Sequence, residues 1–422
     1  MHVKRWLGLL MLGVAVMGLG IAYLLREVYL TYTFPGVAYY LTLQFIPRPL
    51  RGLLFVGLSC WLLLTAIWKL NRSLLAPFLD QSHEGLIVDR IYNHHARQRG
   101  PRIVTIGGGT GLSMLLRGLK EHTSNLTAVV TVADDGGSSG RLRREMGVLP
   151  PGDLRNCIAA LAEAEPLMRS LFQYRFSEGS GLEGHSFGNL FIVAMTGVTG
   201  NFEEALRATS RVLNVRGQIL PSTLANVNLT ALTEDGERIH GESKISATGK
   251  ALREIFIEPF DAKAYPEAIE AIREADLIVV GPGSLFTSIL PNLLVHDLKQ
   301  AFAESRAVKV YVCNVATQHG GTDAFTVADH VRALERHLGK RVFHHVLANS
   351  NVSDHLPEAW QSQPVILNGA GAHDPRLVVA DVISEENRYR HDPQKLARAL
   401  MRLYYCRSPG LQEPKPETAE AR

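Results

Sequence analysis

A Rossmann-like α/β fold, with a doubly wound and mostly parallel sheet and one β-hairpin excursion, is predicted by three features of this 422-residue chain. First, residues 102–106 are a short β-branched run broken by glycines at 107–111, after which Leu112, Leu115, Leu116 and Leu119 recur at helical spacing. That order of strand, glycine turn and helix suits a phosphate, because glycines let backbone N–H groups approach it at a helix N-terminus. Second, the same order returns at residues 277–288, where an apolar strand leads into Gly281, Gly283 and Ser284. Third, strand after strand stops at a polar cluster: 107–111, 134–141, 281–284 and 314–318. In a parallel sheet such C-terminal ends share one edge, where open α/β sheets bind ligands.

Taken from the N-terminus, residues 6–25 are a nearly unbroken apolar run flanked by Lys4, Arg5 and Arg26. Residues 52–70 are a second, following Arg48 and Arg51 and leading to Arg72. Both have membrane-spanning length, and the loop between them is rich in Tyr and Phe, which suits an interface. Residues 1–72 are therefore expected to form a transmembrane helical hairpin. Arg90, Arg97, Arg99 and Arg102 follow the second span, and this excess of arginine puts both termini in the cytoplasm. A multi-pass protein of the cell membrane with a cytoplasmic main domain is the expectation. Residues 73–100 read as a charged connector, 101–407 as the ligand-binding domain, and 408–422 as a polar, disordered tail.

Composition narrows the function. A hydrophobic share of 46% supplies ample core, and a net charge of +3 is too small for a nucleic-acid-binding protein. The four cysteines, Cys60, Cys157, Cys313 and Cys406, are far apart, so neither a disulfide framework nor a zinc motif is visible. The histidine pairs His94–His95 and His344–His345 do not make a metal site alone.

The second strand, residues 126–132, ends on Asp134 and Asp135, followed by a loop containing Gly137, Ser138, Ser139, Arg141 and Arg143. An ordinary turn does not need so many such residues. Asp153 is placed as the N-cap of a helix over 154–163, with Arg155 in its first turn. His185, Ser186, Gly188 and Asn189 stand just before an apolar helix, and Asn201 caps the next one, 202–213. Residues 217–245 alternate, with Asp235–Gly236 at a hairpin turn. Helix 265–274, strand 277–280, strand 308–313 ending on Asn314, strand 343–348 and closing helix 391–405 complete the domain.

These clusters define a candidate ligand site of Gly108, Gly109, Thr110, Gly111, Asp134, Asp135, Gly137, Ser138, Ser139, Arg141, Asp153, Arg155, His185, Ser186, Asn189, Gly281, Gly283, Ser284 and Asn314. Two glycine turns suit a ligand with two phosphates, or two phosphorylated ligands. Asp134 and Asp135 either hold Mg²⁺ bridging a diphosphate or cap the following turn through Asx bonds. Arg141 and Arg155 offer planar forks that match phosphate oxygens. No nucleophile–base pair stands out, since the adjacency of His185 and Ser186 does not make a dyad.

The motifs "IGGGTGLS", "VADDGGSSGRLR", "PPGDLRNC", "GHSFGNL", "IVVGPGSLFTSILPNLLV" and "YVCNVATQHGGT" together resemble the YvcK-like gluconeogenesis-factor family, relatives of 2-phospho-L-lactate transferase, which builds coenzyme F420. The resemblance spans residues 102–405, with the motifs in the same order. It implies a Rossmann-like core that binds a UDP-sugar and regulates cell shape and cell-wall precursor supply. Many family members are soluble, so the N-terminal apolar runs are a departure. The transferase branch carries an Asn-Thr-Gly-Asp-Asp run where this chain reads Thr131-Val132-Ala133-Asp134-Asp135, which favours the regulator branch.

The leading expectation is thus a membrane-tethered, homo-oligomeric regulator that senses a nucleotide sugar and signals to a protein partner. A transferase acting on a diphosphate-linked donor is the alternative. A nicotinamide-dependent oxidoreductase is the third, although Leu112 stands where the dinucleotide fingerprint wants Gly or Ala.

Overall fold

The computed structural model describes parts of residues 13–75, and residues 97–407 except 164–165, 353–360 and 368–373. Much of the first apolar run, most of the connector and the tail lie outside the described residues. The chain divides into two units, Met1–Leu86 and Ile87–Arg422. The first contains α1 (Arg48–Leu75), whose 18-residue window Pro49–Ala66 is long and apolar enough to cross a membrane and has no buried residue. Among the described residues it is the one helix that meets this test, so a two-helix hairpin is not seen.

The second unit is built on a seven-stranded parallel sheet in the order β10-β9-β8-β7-β1-β2-β3. Its strands are β1 (Ile103–Gly107), β2 (Leu126–Val130), β3 (Gln218–Pro221), β7 (Leu277–Val280), β8 (Val308–Val312), β9 (His345–Asn349) and β10 (Leu377–Ala380). Ile106 of β1 is level with Val129 of β2 and Val280 of β7, so their C-terminal ends stop together. Buried on both faces, these strands are continuous runs of Ile, Val and Leu rather than alternating ones. From β1 the order runs one way through β2 and β3 and the other way through β7 to β10. Right-handed crossovers then cover opposite faces, and the switch point falls between β1 and β7.

The longer helices of this unit are α2 (Gly109–Leu119), α3 (Gly137–Met146), α4 (Gly152–Leu161), α5 (Pro166–Gln173), α6 (Phe187–Thr199), α7 (Phe202–Val212), α8 (Pro266–Glu274), α9 (His296–Glu304), α10 (Val327–Leu338) and α11 (Pro393–Arg407). The leucine stripe of α2 is wholly buried, against α4 and α11. At Gly118 a Cβ would lie 2.0 Å from the Pro393 carbonyl oxygen, so only glycine allows α11 so close.

Three expectations are corrected. The polar run after β2 is a loop only to Gly136; from Gly137 it is helix α3, with Gly136 as an extended N-cap. Helix α4 begins at Gly152 with Pro151 at its N-cap, so Asp153 lies in the first turn and caps nothing. Within the alternating stretch, Gln218–Pro221 belongs to the main sheet beside β2, and only β4 (Asn228–Thr233) and β5 (Arg238–His240) form the hairpin. That hairpin carries a third strand, β6 (Leu252–Glu258), on the other edge of β4. Asn201 does cap its helix, accepting from Glu204 N at 2.7 Å.

Candidate functional site

The glycine turns after β1 and β7 face each other at the switch point. Gly109 sits at φ +65° and Gly281 at φ +81°, values that favour glycine. An added Cβ at Gly111 would lie 2.5 Å from the Pro282 carbonyl oxygen, so the two turns touch backbone to backbone. At the end of β8, Asn314 Oδ1 accepts from Gly283 N at 3.1 Å, and Asn314 Nδ2 donates to Gly283 O at 2.8 Å. Ser284 caps the helical turn Leu285–Ile289, accepting from Thr287 N at 3.4 Å and also from Thr287 Oγ1 at 2.8 Å.

A cleft of about 740 Å³, open solvent at its mouth included, lies over these turns. Of the predicted residues, Gly108, Gly109, Thr110, Gly111, Gly283, Ser284 and Asn314 line it. Gly281 is one residue behind, in the same turn. Sequence reasoning missed Tyr389, Arg390 and His391, which close the far wall just before α11. Their only signal was a Tyr-Arg-His run before a helix. His391 is buried and donates from Nε2 to Cys313 O at 3.2 Å; burial pushes its pKa down to about 4, so the ring is neutral.

The remaining predicted residues gather beside the cleft, where α3, α4 and α6 begin. Asp134 Oδ1 accepts from Gly136 N at 2.9 Å, the Asx turn weighed above. Asp135 accepts from Ser243 N at 2.8 Å. Among the described residues no group of three or more His, Cys, Asp and Glu is placed to hold a metal ion. Asp153 is the link between the groups: it accepts from Gly109 N, while burial and then Asp134 push its carboxyl up to about 7. Asp134 is raised as well, chiefly by burial. Asp134 and Asp153 are thus near enough for the charge of one to raise the other.

Gly137, Ser138 and Ser139 open α3. Asn189 Nδ2 donates to Ser138 Oγ at 3.0 Å, and Ser138 Oγ is hydrogen-bonded to His185 Nδ1 at 2.9 Å. Burial lowers the pKa of the His185 ring. Ser186 caps α6, accepting from Asn189 N at 3.3 Å. Ser139 Oγ accepts from Gly152 N at 3.1 Å. Arg155 is buried, and Arg141 donates to Glu183 O at 2.6 Å; neither is among the residues that line the cleft. Arg143, part of the same polar run, is structural, reaching Asn226 Oδ1 and Val227 O.

Glycine turns at adjacent ends of a parallel sheet, opposed across the switch point, define a Rossmann-like α/β protein. Comparison places it further. Residues 103–383 match the family model described as 2-phospho-L-lactate transferase CofD. The chain is 46% identical over 310 residues to the gluconeogenesis factor of Bacillus subtilis (strain 168), covering 72% of this chain and 98% of the relative. A Nostoc sp. relative, whose gluconeogenesis-factor name is provisional, is 47% identical and covers 96% of this chain and 91% of its own. A crystallised member of the upf0052 family from Bacillus halodurans superposes with a TM-score of 0.68 at 44% identity, covering 72% of this chain and 99% of that one. The chain belongs to the gluconeogenesis-factor family, with the 2-phospho-L-lactate transferase domain as its core.

Proposed function

We propose that the chain binds a UDP-sugar in the cleft between the two glycine turns and acts as a membrane-tethered regulator in gluconeogenic growth and cell-wall precursor supply. The opposed turns carry this reading. Gly108–Gly111 and Pro282–Ser284 bring two helix-opening turns, without Cβ atoms at their glycines, to one cleft, which suits a diphosphate. The family's name supports the link to gluconeogenesis. Helix α1 supports the tether, and cytoplasmic placement of the domain rests on the arginines after it. The test is calorimetric titration with a UDP-sugar, UDP and NAD⁺. UDP-sugar binding without nucleotide release supports a regulator; no affinity for any uridine nucleotide overturns it.

The transferase reading has support of similar weight, because the matched family model is that of a transferase. Asp134 and Asp153 would hold Mg²⁺, which would offset charge on a diphosphate donor. The nicotinamide reading rested on the first glycine turn followed by the acidic end of β2, where Asp134 accepts from Gly136 N and Asp135 from Ser243 N.

A further inference from the structure

Arg155, near the start of α4, is a buried guanidinium whose Nε has no hydrogen-bond partner. It is 8% exposed, and among the described residues its Nη2 donates to the amide oxygen of Asn156 at 2.8 Å rather than to a carboxylate. The acid whose charge reaches it is Asp153, whose carboxyl is itself pushed up to about 7, so near neutral pH it offsets only part of the charge. The Arg155 stem crosses the N-terminus of α6, where an added Cβ at Gly188 would lie 2.9 Å from both its Cγ and its Cδ. One residue on, Asn189 Oδ1 is a second buried atom without a partner. Helix α6 is 13 residues long and presents the positive end of its dipole here. Two more arginines approach the segment that leads into it: Arg141 donates to Glu183 O at 2.6 Å, and Arg175 donates to Gly184 O. Both charges bear on His185, where exposed Glu145 is the opposing acid, and that of Arg175 bears on Arg155 too. None of the three arginines is among the residues lining the cleft over the glycine turns.

We propose that Arg155 and the first turn of α6 form a second anion site, beside the cleft and separate from it, that takes a phosphate group. A buried charge without a partner is strongly unfavourable, and an anion drawn to it removes that cost. The planar fork and the helix N-terminus are two devices that recur at phosphates. A carboxylate brings one charge, whereas three guanidinium groups around one turn call for a dianion. Asn189 Oδ1 can accept only from a donor, and the hydrogen of a monohydrogen phosphate supplies one that a carboxylate lacks. Arg175 is exposed, so it marks the side from which the anion enters. Free phosphate and a phosphomonoester share this chemistry.

The test is a thermal melt of the full chain in detergent, in sodium phosphate against sodium chloride of equal ionic strength. Inorganic phosphate is expected to raise the midpoint by about 2 °C or more, and the rise should persist when UDP is present in excess. Arg155→Met should melt no lower than the unaltered chain in chloride, because it replaces a buried unpaired charge by an apolar chain, and it should lose the rise. These readings need no nucleotide, so they stand apart from what fills the cleft. Glycerol 3-phosphate separates the sources: a larger rise than that given by phosphate assigns the site to a phosphomonoester, a smaller one to free phosphate. No rise with either, or a rise that Arg155→Met keeps, overturns the proposal. A rise that UDP abolishes also overturns it, because the phosphate is then in the glycine turns. Arg155→Met that melts lower and a chain that ignores phosphate would leave Arg155 a packing residue. If Arg155→Met does not fold, Arg175→Gln, at an exposed position, should weaken the phosphate titration about threefold, and an unchanged titration overturns the site.

Discussion

Asn314 holds both backbone polar groups of one residue in another strand's turn, accepting from Gly283 N at 3.1 Å and donating to Gly283 O at 2.8 Å. The end of β8 therefore fixes the phosphate-type turn that follows β7. Each such bond contributes about 1 kcal/mol, so losing both loosens the turn by roughly 2 kcal/mol. Asn314→Ala is expected to weaken UDP-sugar binding about tenfold or more in calorimetry. Asn314→Asp keeps the acceptor alone and should fall between. Wild-type affinity in both variants would mean the turn needs no clamp.

A second prediction concerns the contact between the turns. Gly111→Ala places a methyl 2.5 Å from the Pro282 carbonyl oxygen, a backbone atom with little freedom to move. Gly107→Ala is the control, because its Cβ would meet only Leu112 atoms, at 3.7 Å or more. The expected outcome is a loss of binding of at least tenfold for Gly111→Ala and a near-normal titration for Gly107→Ala. Equal titrations would show that the close approach of the turns does not shape the site.

The glycine turns and the common edge of the strand ends were legible because each is written locally, as a strand followed at once by its turn. The switch point was not, since it depends on β1 pairing with β7, and their residues are far apart in sequence. Helix α3 was read as loop because Gly137, Ser138, Ser139 and Gly140 are poor helix formers. Tertiary contact overrides that preference: Ser138 is tied to His185 and Asn189, and at Gly140 a Cβ would lie 1.8 Å from Asp135 O. Strands β6 and β10 carry no glycine turn to announce them, and β10 is only half-buried. Arg390 entered the site by long-range folding alone.

Arg390 is the arginine among the residues lining the cleft. A diphosphate needs a positive partner, and a planar fork matches its oxygens in a way an ammonium does not. Arg390→Ala should weaken UDP-sugar binding at least tenfold with little change in melting temperature, and Arg390→Lys should recover only part. By contrast, Arg141→Ala should leave affinity within about threefold, since that side chain donates to Glu183 O. The reverse ranking in titrations would return the clamp to Arg141.

His391 gives the domain a pH dependence of known sign. Its folded pKa is depressed from 6.5 to about 4 by burial. The unfolded chain therefore takes up the proton first, and the stabilisation present above about pH 6.5 is lost as pH falls towards 4. The shift corresponds to roughly 3 kcal/mol. His330 and His337 are lowered by burial too and act in the same direction. Urea midpoints should drop between pH 7 and pH 5, and less so in His391→Gln, which keeps a donor for Cys313 O. An identical pH slope in that variant would remove His391 from the account.

The last prediction separates the regulator from the transferase. Asp153 lies beneath the first glycine turn, accepts from Gly109 N, and has its carboxyl pushed up to about 7 by burial and by Asp134. Asparagine at this position can still accept from Gly109 N but cannot carry charge. A ligand held by backbone N–H groups and Arg390 has no need of that charge, whereas a cation bridging Asp134 and Asp153 to a diphosphate does. For a regulator, Asp153→Asn and chelation by EDTA should each change UDP-sugar affinity by no more than about threefold. Incubation with a UDP-sugar or a lactyl-diphosphonucleoside donor, Mg²⁺ and an acceptor should release no nucleotide above background. Nucleotide release that requires Mg²⁺ and disappears in Asp153→Asn would make the chain a transferase, with Asp134 and Asp153 as its metal-binding carboxylates.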